Sequence, residues 1–110
     1  MSALRRALLL IPVAAFLSPL ALAAGDRTEK KIKPNHGRGE ALFVYYCSTC
    51  HTFKEAGAIG VIGPNLDKYP PPSLAYVKYQ ITHGGGVMPA FTRFTPQDVA
   101  DIAAFVWARK

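Results

Sequence analysis

The chain has 110 residues, half of them hydrophobic, with 13 basic against 7 acidic side chains and only two cysteines. That is room for one small domain, and a domain of this size buries only ~60–65% of its unfolded surface, which is marginal without a disulfide, metal or cofactor. Cys47 and Cys50 lie too close in sequence for a bridge between them to stabilise much, so a disulfide-stapled scaffold is excluded and something else must fill the core.

The chain opens with Arg5 and Arg6, an apolar run over residues 7–22, and Ala21-Leu22-Ala23. A positive start, a hydrophobic stretch and a small-x-small site together predict a secretory signal peptide over residues 1–23, cleaved after Ala23 or one residue later. The alternative is a retained anchor, but the run is short for a span and carries Pro12 and Pro19. No cysteine near the site offers a lipid anchor. The mature chain is therefore expected in the periplasm or another extracytoplasmic compartment, with no stable membrane span. An idle dithiol there would tend to oxidise. Removing Arg5 and Arg6 takes the formal net charge from +6 to +4. Residues 24–34 form a polar basic lead-in carrying Arg27, Lys30, Lys31 and Lys33. It reads as a solvated tail, or else as an arm for an acidic partner or membrane surface. An exported chain without a basic helix face is not expected to bind nucleic acid.

A single domain is expected over residues 35–110. Its first helix should span residues 36–46, with Ala41, Leu42 and Tyr45 or Tyr46 as the apolar face and Phe43 adding bulk. The segment TFKEAGAIGVIGPNL has too many glycines for a helix and no sustained alternation for a strand, so a loop without hairpins is predicted. Residues 65–69 add at most one turn before Pro70, Pro71 and Pro72. Ser73 then caps a second helix whose stripe is Leu74, Val77 and Ile81, ending at His83 with Gly84 after it. The last helix has Thr95 as cap, Pro96 at its first position and Asp98 three residues after the cap. Val99, Ile102, Ala103 and Val106 make its stripe, flanked by Phe105 and Trp107. The class is all-α.

The two cysteines stand in YYCSTCH, followed at once by His51. A zinc site needs four ligands, and a histidine adjacent to Cys50 is poorly placed to share one tetrahedral ion with both thiolates. A thioredoxin-like couple belongs in a βαβ pattern, which is absent here. Cys-x-x-Cys-His is the attachment signature of one covalent haem c: thioethers from Cys47 and Cys50 bridge to the porphyrin, and His51 is then aimed at the iron. The other face of the iron needs a ligand or stays open. After signal removal Met88 is the only methionine, in the glycine- and proline-rich stretch GGGVMPAF, which suits a ligand better than a core side chain. His83 is the rival, at a helix end, and His36 reads as a surface residue. No carboxylate pair or nucleophile–base set suggests catalysis; Glu40, Glu55, Asp67 and Asp101 read as solvated surface.

With CSTCH, IGPNL, GVMPAF and a capped last helix ending AAFVWA, residues 35–110 resemble the small class I c-type cytochromes, closest to the short-loop bacterial and photosynthetic carriers. The resemblance implies three to four helices around one covalently attached haem, with the first and last helices crossing. It implies that Gly39 and Phe43 meet Phe105 at that crossing and that the Pro64 carbonyl accepts from the His51 ring. Arg93 resembles a propionate-pairing arginine, although it falls one residue nearer the methionine. The loop tryptophan usual in the family is missing, since Trp107 lies in the last helix. The implied function is single-electron transfer, not an enzyme, between redox proteins. The donor would be a dehydrogenase or cytochrome complex and the acceptor an oxidase or reductase. The alternatives are a dedicated haem subunit, or a catalytic or sensing cytochrome with an open or displaceable sixth position.

Overall fold

Asn35 begins the first helix, α1 (His36–Tyr46), by accepting the Arg38 backbone N–H at 3.0 Å on its side-chain oxygen. The computed structural model describes residues 31–108; the expected signal segment and residues 24–30 of the lead-in lie outside the described residues. Only Gly39 and Phe43 of α1 are buried. Leu42 is partly buried against the core, whereas Ala41 and Tyr45 are exposed, so the inward face is narrower than its hydrophobic pattern predicted. The reason is the helix that crosses it. A Cβ on Gly39 would sit 2.0 Å from the Asp101 carbonyl oxygen and 3.0 Å from Phe105 Cβ. An approach this close leaves the contact to one glycine and one large ring.

The glycine-rich segment is not a plain loop. It holds a short antiparallel hairpin, β1 (Thr52–Phe53) against β2 (Ala58–Ile59), with Thr52 opposite Ile59 and Phe53 opposite Ala58. A 3₁₀ turn (Lys54–Ala56) and Gly57, at φ 64°, join the strands. Two paired residues per strand are too few to leave an alternation in the sequence. Asp67 anchors the turn by accepting the Lys54 backbone N–H at 2.8 Å.

Ser73 caps α2 (Leu74–His83) by accepting from the Tyr76 N–H at 3.0 Å. Val77 and Ile81 are buried, and Gly84, at φ 69°, ends the helix. Thr95 and Asp98 cap α3 (Pro96–Trp107) reciprocally, with Pro96 in its first turn. Residues 99–106 are all buried, because α3 packs against both α1 and α2. Phe43, Phe53 and Phe105 meet one another with ring centroids 5.3–5.8 Å apart, joining α1, the hairpin and α3.

Asp101 is fully buried rather than solvated. Its carboxylate accepts from the Asn35 backbone N–H (2.8 Å), the Arg38 guanidinium (2.8 Å) and the Gln97 side-chain amide (2.7 Å). Arg38 also pairs with Asp98. A buried carboxylate is tolerable only when so satisfied, and two of its three donors come from the far end of the sequence. No helix among the described residues is long and apolar enough to cross a membrane.

Candidate functional site

The three helices and the loops between them enclose a cavity of about 530 Å³, within the range of cofactor pockets. Phe43 and Tyr46 of α1, Val77 and Ile81 of α2, and Ile102 and Val106 of α3 supply apolar walls. Cys47, Cys50, His51, Pro64 and Met88 all line the same space. The structure therefore brings together five side chains that are spread over 42 positions of sequence.

Cys47 and Cys50 occupy a turn continuing from α1, in which the Cys50 and His51 backbone N–H groups both donate to the Cys47 carbonyl, at 3.2 and 3.1 Å. No disulfide joins the two thiols. Burial, and secondarily the neighbouring Cys50, pushes the Cys47 thiol up to about 12. Among the described residues no group of three or more His, Cys, Asp or Glu comes together as a metal site, so the zinc alternative finds no ligand set.

His51 Nδ1 lies 2.8 Å from the Pro64 carbonyl oxygen. A carbonyl only accepts, so Nδ1 carries the proton and donates, which leaves the Nε2 lone pair free for a metal. The ring rests on Gly63, where a Cβ would come within 2.8 Å of His51 Cε1. Met88 enters from a tight turn. Gly85 and Met88 exchange backbone hydrogen bonds at 3.0 and 2.9 Å around Gly86, at φ 59°. A Cβ on Gly84 would sit 2.5 Å from the Met88 carbonyl oxygen. The turn is tied to α2 by the Phe91 N–H donating to the Ile81 carbonyl at 3.0 Å, and to α1 through Tyr46 edge-on to Phe94 at 5.0 Å.

The other candidates stay outside. His83 is exposed, its ring stacked 4.0 Å from Tyr79 and its Nδ1 donating to the Tyr79 carbonyl, and it does not line the cavity. His36 is exposed at the start of α1. Arg93 is also exposed and absent from the lining. The physical reason is local: Phe91 and Phe94 stack at 4.9 Å and take the inward positions of their turn, leaving Thr92 and Arg93 outside.

An apolar cavity with two thiols and an imidazole donor on one segment, and a thioether on another, fits a haem. Residues 34–106 match the family model described as cytochrome c oxidase, cbb3-type, subunit III. The chain belongs to this family of c-type cytochromes. It is 35% identical over 78 residues to a cytochrome c6 of Gloeothece citriformis, an alignment covering 64% of this chain and 67% of that protein. Among solved structures it resembles the c-type cytochrome SorU from Sinorhizobium meliloti, with a TM-score of 0.62 and 33% identity over 66% of this chain and 86% of that one. Cytochrome c6 from the diatom Phaeodactylum tricornutum gives a TM-score of 0.54 at 33% identity, covering 67% of this chain and 92% of that one. The cofactor of this c-type cytochrome is covalently bound haem c.

Sequence reading alone did not find the backbone braces around the Cys-x-x-Cys turn. The only trace they leave is the spacing of Gly60 and Gly63 before Pro64.

Proposed function

We propose that this c-type cytochrome is a periplasmic, or otherwise extracytoplasmic, carrier of single electrons, with haem joined to Cys47 and Cys50 and its iron ligated by His51 and Met88. The observation that carries the reading is the shared cavity: both thiols, the His51–Pro64 pair and the last methionine of the chain line it together. The expected signal peptide supports the compartment. The haem supplies a one-electron ferric/ferrous couple when bound. His51 offers Nε2 while the Pro64 carbonyl fixes its tautomer and raises its basicity. Met88 offers a thioether, which favours the ferrous state and raises the potential. With His51 and Met88 both holding it, the iron would be closed to substrates, which supports redox proteins as partners: a dehydrogenase or cytochrome complex as donor, an oxidase or reductase as acceptor.

The test is expression with the native signal and a cytochrome c maturation system, followed by acid and organic-solvent extraction. The haem is expected to stay with the polypeptide. The ferric protein is expected to show the weak long-wavelength band of a methionine–iron bond. Met88→Ala should lose that band, turn the site high-spin or admit an external ligand, and lower the reduction potential; Met88→His should restore low spin at a lower potential. If the unaltered ferric protein lacks the band and binds cyanide at once, the site is catalytic or sensing instead.

A further inference from the structure

Every residue from Ser48 to Thr52 is clasped from outside by residues 59–66. Thr52 pairs with Ile59 in the hairpin, and its hydroxyl donates to the Gly60 carbonyl at 2.7 Å. The Gly63 N–H donates to the Cys50 carbonyl at 2.6 Å, and the Leu66 N–H to the Thr52 carbonyl at 2.9 Å. Gly63 supports the His51 ring, and the Pro64 carbonyl holds its Nδ1. Where this strap passes Ser48 and Thr49, the contact is backbone on backbone. A Cβ on Gly60 would lie 2.5 Å from the Thr49 carbonyl oxygen and 2.7 Å from that of Ser48.

We propose that Gly60 is a positioning residue for haem attachment and ligation: it seats the strap on the Cys-Ser-Thr-Cys turn, and through the strap it sets the reach of Cys47 and Cys50 and the hydrogen bond that orients His51. The proposal rests on the reading that these three residues hold the haem and its iron. Gly60 is required for space and not for conformation. Among the described residues the positive-φ glycines are Gly57, Gly84 and Gly86, and Gly60 is not one of them. A side chain at Gly60 meets two carbonyl oxygens of the turn, neither of which can rotate away as a side chain would. The strap must lift, and the lift is passed along three residues to Gly63 and four to Pro64. Losing the Pro64 contact makes His51 a weaker donor to ferric iron, which raises the reduction potential.

Gly57 provides the control. It lies in the same hairpin at φ 64°, so Gly57→Ala is strained, yet a Cβ there meets nothing within 4 Å. It weakens the hairpin without pushing on the turn. Full-length Gly60→Ala, Gly60→Val, Thr52→Val, Thr52→Ser and Gly57→Ala proteins, matured with haem, are compared with the unaltered protein by three measurements. These are free thiol by iodoacetamide labelling after denaturation, the α band in alkaline pyridine, and the midpoint potential. Gly60→Ala and, more strongly, Gly60→Val are expected to expose a free thiol in part of the molecules, red-shift the α band and raise the potential. Thr52→Val should move all three the same way by less, and Thr52→Ser should restore them. Gly57→Ala should lose thermal stability with thiol count, band and potential unchanged. If Gly60→Val yields no holoprotein, Gly60→Ala carries the comparison. Unchanged thiol count and potential in Gly60→Ala overturn the proposal, as does Gly57→Ala shifting both to the same extent at a matched loss of stability. Haem that extracts from the unaltered protein is a different failure, that of the attachment reading itself.

Discussion

Replacing Gly39 with alanine tests how closely the first and last helices cross. The new Cβ would begin 2.0 Å from the Asp101 carbonyl oxygen and 2.6 Å from its carbonyl carbon, where a favourable C···O contact is about 3.3–3.6 Å. One helix must therefore retreat by more than about 1 Å, and it takes with it the Phe43–Phe105 contact and the Asn35 and Arg38 bonds to Asp101. Overpacking against backbone on both sides belongs at the upper end of the usual cost, about 3 kcal/mol, while alanine's better helix propensity returns about 1 kcal/mol. A net loss of about 2 kcal/mol lowers the melting temperature of a domain this small by roughly 8–16 °C. Gly37→Ala, in the same helix, is the counterpart. Its Cβ would meet only the Asn35 side-chain oxygen at an ordinary 3.6 Å, so this variant should be as stable as the unaltered protein or slightly more so. Thermal melts of the ferric holoproteins, followed by far-UV circular dichroism, read both. Equal stability of Gly39→Ala and Gly37→Ala would refute the crossing geometry.

Two further predictions concern acid and the apoprotein. Asp98 is held below the usual carboxylate range chiefly by the Thr95 backbone N–H and then by Arg38. For Asp101, burial alone would push the carboxyl up, but the bonds from Arg38, the Asn35 backbone and Gln97 outweigh it and lower it. A lowered carboxyl contributes stability that is present above its unfolded value and is lost as pH falls through its folded one. Asp101→Asn should therefore be less stable than the unaltered protein at pH 7, with the deficit shrinking below about pH 4, as urea titrations at stepped pH would show; a deficit independent of pH would count against the ion pair. A Cys47→Ala/Cys50→Ala chain without haem should lose most of its helix signal, because the apolar walls would face a void. Full helix content with cooperative unfolding would contradict that.

Chain-local rules made most of this molecule readable. Ser73, Thr95, Pro96 and Asp98 mark helix starts because a cap is satisfied within three residues of its own position. Cys47, Cys50, His51 and Met88 stood out because their chemistry is rare in this composition. What escaped depends on distant backbone. Asp101 looks like any charged residue of an amphipathic helix until Asn35 and Arg38, more than sixty positions away, come to it. The hairpin Thr52–Phe53 with Ala58–Ile59 is too short to print a period. That Arg93 lies on the outer side of the Phe91–Phe94 turn also depends on which residues of that turn pack inward, and a spacing of one residue decides it.

The placement of glycines also separates two kinds of precision in this fold. At Gly84 and Gly86 a positive φ turns the chain so that Met88 can enter the cavity. At Gly39, Gly60 and Gly63, and at Gly84 as well, the requirement is the absence of a side chain where helix, turn or imidazole lies against backbone. The first kind shapes a loop that Phe91 and Tyr46 hold from two sides. At Gly60 the second kind seats the Cys-x-x-Cys-His segment by direct backbone contact, and at Gly63 it makes room for the His51 ring. The His51 wall is held by its own turn and also by the hydrogen bonds of residues 59–66. The Met88 wall hangs on one short turn whose immediate neighbour, Val87, is exposed. A substitution that weakens the fold as a whole should therefore release Met88 before it disturbs His51. On the proposed ligation, the methionine–iron band of Gly39→Ala should fade, with the iron turning high-spin, at a lower temperature than the far-UV helix signal is lost, and simultaneous loss of both would refute this division.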